Sequence, residues 1–330
     1  MVLKDFLSLA CGLLKSLCQT KNITRVRLVN TQPKTSRLHR ALAAATLCAL
    51  TTLTGPTQAA QIATDPGDYS PLPAGIDLGL LYYQHVTRTS VYAKGEEAPV
   101  DAELTTDISL LRWVHFIEIG GMIADPQIIL PFGKVDLGKP LGGLEASSAE
   151  GIGDPIVGGT LWVMNNPTTK QALGVTALVS LPLGSYDADQ GPVNVGENRY
   201  KLITQLAWVT PLSQSLSLDL IGEYTRFGDN DDFLSLTREQ ADQYGFQTHL
   251  SRHLSDQTRL ALSYFHDFGG ETTVAGVSQD DELDNSRLQL GVSHFFAADK
   301  QILLQYGQDL HTESGFREDS RLNLRLVKVF

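Results

Sequence analysis

From Ile76 to Phe330 the apolar residues recur at every second position, in twelve segments of about ten residues each. No other feature narrows the possible folds as much. A period of two is the signature of a β-strand, with successive side chains on opposite faces. Ten residues is about twice the usual length of a strand in a soluble protein and matches a tilted strand that crosses the hydrocarbon layer of a membrane. In Thr258 to Phe268, Leu260, Leu262, Tyr264 and Phe268 share one face, against Arg259, Ala261, Ser263 and Asp267 on the other. The same pattern runs through Arg287 to Phe296 and Arg321 to Phe330.

The segments begin near Ile76, Leu104, Ile123, Gly153, Ala172, Lys201, Leu216, Tyr244, Arg259, Arg287, Ile302 and Arg321. Their connections alternate between long and short: "TRTSVYAKGEEAPVDAE" is followed by "GG", and "DLGKPLGGLEASSAE" by "NNPTTK". An even strand count with long loops on one rim and short turns on the other predicts an all-β fold, a closed antiparallel transmembrane β-barrel of about 12 strands. The long loops are extracellular and the short turns periplasmic. A soluble sandwich needs neither ten-residue strands nor this alternation.

Of the 330 residues, 42% are hydrophobic, but no apolar run reaches the length of a membrane helix. The longest, "ALAAATLCALTTL" at Ala41 to Leu53, follows Lys34, Arg37 and Arg40 and precedes "TGPTQAAQ", with small residues suited to cleavage. It reads as a secretory signal. Residues 1–59 are therefore expected to be a leader whose start is placed too far upstream, residues 60–75 a short periplasmic segment, and residues 76–330 the barrel. Beyond the leader 18 basic and 36 acidic residues remain, a net charge of −18. Nucleic-acid binding, which depends on neutralising phosphates, is excluded on that balance. Cys11, Cys18 and Cys48 all lie in the leader, as suits a chain exported through an oxidising compartment.

Six ordered stretches carry a family resemblance: "GLLYYQHV", "FIEIGGMIADPQIILPFG", "GIGDPIVGGTLWV", "LPLGSYDADQGPVNVGENRYKL", "GGETTVAGVSQDDE" and "FREDSRLNLRLVKVF". From about Tyr69 to Phe330 the chain resembles the outer-membrane proteins named for the meta-pathway of phenol degradation. The resemblance implies a channel-like protein of the bacterial outer membrane, of a kind often encoded near pathways for aromatic or other hydrophobic carbon sources. It carries over no catalytic residue. The terminal Phe330, after alternating apolar residues, resembles the signal read by the barrel-assembly machinery.

Strand parity puts Asp219, Glu223, Arg259, Asp267, Arg287, Asp309, Arg321 and Arg325 in the lumen. They would form either a transverse field that selects solutes or a network of ion pairs that fills the barrel, and burial favours pairing in both cases. Pro126, Pro131, Pro155 and Pro182 fall in the third to fifth segments. Proline cannot donate to a ladder, so these residues mark either a lateral gap in the wall or mere bends at strand ends. Tyr82, Trp113, Trp162, Trp208, Tyr224 and Phe295 are expected in interfacial aromatic girdles. Lys328, on the lipid face, is expected to reach the headgroups.

The acidic loops "GDNDD" and "DDELD" lack the glycine and distant glutamate of a calcium loop, so no metal site and no cofactor are expected. Weak divalent bridging to lipopolysaccharide is compatible with them. Motifs of hydrolases, zinc proteases and nucleotide binders are absent from the sequence. A lipid hydrolase would have to hide a serine beside His115 or His294. The residues together predict a non-enzymatic, passive channel for small hydrophobic or aromatic compounds, with no plug and no energy-coupling segment before the first strand. Its partners are outer-membrane lipids and the solute, and the competing reading is a non-conducting surface barrel.

Overall fold

The computed structural model describes residues 63–330; the expected leader and cleavage site lie outside the described residues. Twelve long strands form the wall: β1 Asp77–Arg88, β2 Leu104–His115, β3 Met122–Leu137, β4 Ile156–Asn166, β5 Gln171–Ser180, β6 Lys201–Pro211, β7 Leu216–Phe227, β8 Gln243–His253, β9 Thr258–Gly269, β10 Leu283–Ala297, β11 Lys300–His311 and β12 Ser320–Val329. Each pairs antiparallel with its neighbours in the chain, and β12 returns to β1 with Tyr83 opposite Leu324, which closes the barrel and leaves no long edge. No described helix is long and apolar enough to cross a membrane.

The wall is inverted relative to a soluble protein. Leu260, Leu262, Leu290, Val292, Leu304 and Tyr306 point outward and are exposed, whereas Gln247, His249, Ser251, Ser263, Gln289 and Gln305 are buried inside. Lipid replaces water on the outer face, so apolar side chains are stable there and polar ones turn in. The interior itself has two sectors. On β7 to β12 it is mostly polar, while on β1 to β6 it is a continuous apolar cluster that includes Leu80, Ile108, Val114, Ile129, Ile156 and Leu178.

All twelve expected segments start within four residues of a wall strand. At the fourth, Gly153-Asp154-Pro155 interrupts the strand: β4 begins at Ile156, and its outer continuation is the separate strand Ser147–Ile152. Two small sheets cap the extracellular end. One joins residues 230–233, 236–240, 272–274 and 277–278, and the other joins residues 90–93, 96–97 and 315–317.

The aromatic girdle differs from expectation at three positions. Tyr82 and Trp162 are buried inside the barrel, and Phe295 lines an internal chamber. Position along the strand suggested the rim, but parity, which sets the face, points these three inward. Trp208 is exposed to the lipid side. At the outer rim Tyr224, Tyr244 and Phe268 form a row across β7, β8 and β9: the first two rings are tilted with centroids 5.6 Å apart, and Tyr244 stacks on Phe268 at 5.4 Å. Lys328 pairs with Asp299 in the short 298–299 turn, and its ammonium lies 5.5 Å from the Phe330 ring.

Candidate functional site

The lumen is crossed at its periplasmic end by residues 63–75. This segment was expected in the periplasm, but Thr64, Asp65 and Tyr69 are buried within the barrel. A chain entering the polar interior must satisfy its backbone and side-chain groups there, and it finds partners on many strands. Thr64 N donates to Gln247 Oε1 at 3.1 Å, and Gly67 N donates to Asp219 Oδ2 at 2.8 Å. Tyr69 Oη donates to Gln205 Oε1 at 2.5 Å, while Trp162 Nε1 donates to the Tyr69 carbonyl at 2.9 Å.

Two carboxylates anchor the segment. Arg325 Nη1 reaches Asp65 Oδ2 at 2.9 Å and Asp68 Oδ1 at 2.7 Å, and Arg112 Nη1 reaches Asp68 Oδ2 at 3.2 Å. Gly67 makes the close approach possible. Its φ of +85° strains any residue with a side chain, and a Cβ there would lie 2.2 Å from Arg259 Nη1 and push that side chain aside. The short segment expected in the periplasm is thus a strap inside the lumen, held there because the interior supplies its partners.

Nearer the outside, Glu318 is gripped by three arginines. Arg88 Nη2 and Arg321 Nη2 lie 2.8 and 2.5 Å from Oε1, and Arg321 Nε and Arg287 Nη1 lie 2.8 and 3.3 Å from Oε2. All four side chains are almost completely buried. Asp309 Oδ2 accepts from the Glu318 backbone N–H at 2.8 Å. Burial pushes the Glu318 carboxyl up, but Arg321, Arg287 and Arg88 hold it well below the usual carboxylate range. The knot spans β1, β10, β11 and β12 and narrows the outer half of the lumen.

All eight lumen candidates thus lie inside the barrel but in separate groups. Arg287, Asp309 and Arg321 meet at Glu318. Asp219, Arg259 and Arg325 meet the N-terminal strap. Glu223 stands between them, accepting from Gln205 Nε2 at 2.6 Å. Asp267 is on the same inner face of β9 and acts electrostatically on Glu223, Arg287 and Arg321. Sequence reasoning missed Arg88 and Arg112, which occupy inward positions of β1 and β2. A charge at such a position in an apolar strand was the available signal. Asp65, Asp68 and Glu318 sit outside the strands, where parity says nothing.

The wall is broken where the prolines are. The β3–β4 ladder ends at Ile129 opposite Ile156, and β3 resumes pairing from Phe132 with the Ser147–Ile152 strand. That outer strand has β3 as its only strand neighbour among the described residues. Pro131 sits at the changeover, Pro155 in the interruption, and Pro182 just past the end of β5. Pro126 instead lies within the β3–β4 ladder, opposite Gly159.

The notch is filled by the loop of residues 181–200. Ser185 N donates to the Ile152 carbonyl at 2.7 Å and Leu181 N to the Pro155 carbonyl at 2.9 Å. The Asp154 carboxylate accepts from Gly184 N at 2.9 Å and Glu197 N at 2.8 Å. A Cβ on Gly184 would come within 2.7 Å of the Gly153 backbone, so the loop and the broken strand touch backbone to backbone.

His115 and His294 are committed elsewhere. His115 Nδ1 lies 2.8 Å from Asp77 Oδ1, and His294 Nδ1 lies 2.9 Å from Thr258 Oγ1. A serine and a histidine do meet at Ser263 and His249, 2.8 Å apart, but both are fully buried and Thr64 stands on the far ring nitrogen. No cluster of three or more metal-binding side chains occurs among the described residues.

Residues 83–326 match the family described as "Putative MetA-pathway of phenol degradation". The COG4313 outer membrane channel from Pseudomonas putida F1, known from a crystal structure, is 36% identical, with a TM-score of 0.77 over 81% of this chain and 100% of that one. Two other solved structures are more distant at 9% identity: the TodX monoaromatic hydrocarbon channel deltaS2 mutant (TM-score 0.45, 81% of this chain, 91% of that chain) and a Pseudomonas aeruginosa FadL homologue (TM-score 0.43, 81% and 92%). No curated protein matches the chain. With the family match spanning nearly the whole barrel and a relative matched over its full length, this chain is a bacterial outer-membrane barrel and belongs to the family described as "Putative MetA-pathway of phenol degradation".

Proposed function

We propose that the protein is a passive outer-membrane channel for small hydrophobic or aromatic compounds, which leave through the side of the barrel. The observation that carries this reading is the position of the wall break. Ile129 and Ile156, the last paired residues before the interruption, are both buried members of the apolar interior sector. A hydrophobic solute moving along β1 to β5 therefore meets the notch without crossing the polar half of the lumen. The bilayer is its lowest-energy destination, since apolar surface gains by leaving water.

Two closures lie on the straight route, the Glu318 knot and the N-terminal strap. An apolar solute has nothing to exchange for the ion pairs in either, which favours the lateral path over the axial one. The 181–200 loop is the moving part in this mechanism. No step calls for covalent chemistry, and the serine–histidine pair has no access to lipid. Insertion by the barrel-assembly machinery through Phe330, and contact of the acidic loops with lipopolysaccharide, complete the reading.

The same closures favour a second reading, a non-conducting barrel that acts through its loops. Solute flux separates the two. Cells lacking the protein, with and without the restored gene, are given labelled phenols, aromatic acids and alkanes. Faster uptake of an apolar class at low concentration supports the channel, and unchanged uptake across the panel overturns it.

A further inference from the structure

Between the N-terminal strap and the wall lies a chamber of about 480 Å³ at the periplasmic end. Its size falls in the range of small-molecule sites. One side is formed by Pro66 and Leu72 of the strap, and the other by Leu78, Leu80, Val114 and Val327. An apolar wall inside a lumen otherwise rich in charge invites the hydrophobic part of a ligand.

The charged groups around the chamber are not equivalent. Asp68 has both oxygens engaged, one by Arg325 and one by Arg112. Asp125 also lines the chamber and accepts from Thr160 N and Gln127 Nε2. His253 and Asp256 are exposed beside the 254–257 turn, at the mouth.

Arg259 differs from Arg112 and Arg325. It forms no ion pair among the described residues, and its Nη2 donates only to the Pro66 carbonyl, at 2.6 Å. Asp219, whose charge acts on it, is turned to Gly67 N instead. A half-buried guanidinium with spare donors, opposite an apolar wall, is complementary to one kind of ligand: a single carboxylate on a compact apolar body.

We infer that this chamber binds small apolar monocarboxylates, with the carboxylate on Arg259 and the ring or alkyl body against Leu78, Leu80 and Val327. The inference rests on the channel reading for its meaning: it names a carboxylate class among the solutes and gives that class a binding site beside the strap, at the periplasmic end of the lumen. One guanidinium matches one carboxylate, and a divalent phosphate ester would leave charge uncompensated among Asp68 and Asp125.

The test uses the full chain purified in detergent, with benzoate, octanoate and the neutral benzyl alcohol as probes followed by calorimetry. Benzoate should bind at least about tenfold more tightly than benzyl alcohol, as a charge-assisted bond requires. Arg259→Gln should remove that preference and leave benzyl alcohol unchanged. Because Arg259→Gln also loosens the strap, Leu78→Asp serves as a second variant: it leaves Arg259 in place but sets a repelling charge in the apolar wall, and should abolish benzoate binding. Equal binding of benzoate and benzyl alcohol to the unaltered protein overturns the inference, as does full benzoate binding by both variants. Octanoate that binds in place of benzoate assigns the chamber to lipid-derived chains, and binding of both assigns it to apolar carboxylates generally.

Flux through vesicles holding the same protein keeps the two readings apart. If neutral aromatics cross but benzoate shows no preference for Arg259, the site falls and the channel stands. If benzoate binds through Arg259 and nothing crosses, the site stands and the channel falls.

Discussion

Arg325 Nη1 donates to Asp68 Oδ1 at 2.7 Å, joining the last strand of the barrel to a segment that precedes the first. The two residues are 257 positions apart, so the strap is anchored in part by the last strand of the wall.

If that contact holds the strap in place, Asp65→Ala combined with Asp68→Ala should release it. Each lost charge-assisted bond is worth about 1.5–3 kcal/mol, enough to empty the docked state. Single-channel conductance in planar bilayers should rise above that of the unaltered protein, and protease added from the periplasmic side should cut near residues 63–75. Unchanged conductance would show that the strap does not limit the pore.

At the outer knot, Glu318→Gln leaves Arg88, Arg287 and Arg321 facing one another with only Asp309 and Asp267 nearby. Breaking a buried ion pair by removing one partner costs about 3–5 kcal/mol. The midpoint of unfolding in urea should fall accordingly, and the permeability ratio should move toward anions. A stable variant with unaltered selectivity would remove the knot from the conduction path.

Asp154→Ala tests the seal of the notch. The carboxylate holds Gly184 N and Glu197 N, and without it both donors lose their partner. The 181–200 loop should become sensitive to externally added protease, and uptake of apolar solutes should increase. Increased sensitivity with unchanged uptake would dissociate the loop from transport.

The same loop should respond to acid in a defined window. Burial pushes the Glu197 carboxyl up, but Lys201 and Arg199 bring it down to about 2. A carboxyl whose folded value is depressed contributes stability that is complete above its unfolded value, about 4.5, and is lost as the pH falls toward 2. Pepsin cleavage within residues 181–200 should be absent at pH 5 and appear progressively below pH 4. Glu197→Gln should flatten that dependence.

On the lipid face, Leu290 is 63% exposed near the middle of β10. Leu290→Arg should destabilise the barrel in lipid vesicles by about 2–4 kcal/mol, the cost of a cation near the bilayer midplane. Gln289→Leu, one residue away on the inner face, should not carry that penalty.

Much of the fold was legible because a strand offers only two faces. The alternation around Leu260 and Leu290 identified both the strands and their lipid side, and the turn-rich stretches separated them. At the fourth segment the sequence did not show that Gly153-Asp154-Pro155 separates β4 from an outer strand, Ser147–Ile152, that pairs with β3 alone among the described strands. Tyr82 and Trp162 were misassigned because nearness to a segment end was allowed to outweigh parity.

What the sequence by itself determined is the wall: its twelve strands, their direction, and which side of each faces lipid. These follow from local periodicity, which needs no knowledge of distant residues. The tertiary structure alone decided how the interior is filled. Eight inward charges could be named in advance, but not that Arg325 would meet Asp68 or that Glu318 would gather three arginines. Such pairings depend on the curvature that brings non-neighbouring strands and loops face to face, and on burial, which favours a partner for an enclosed charge wherever in the chain that partner lies.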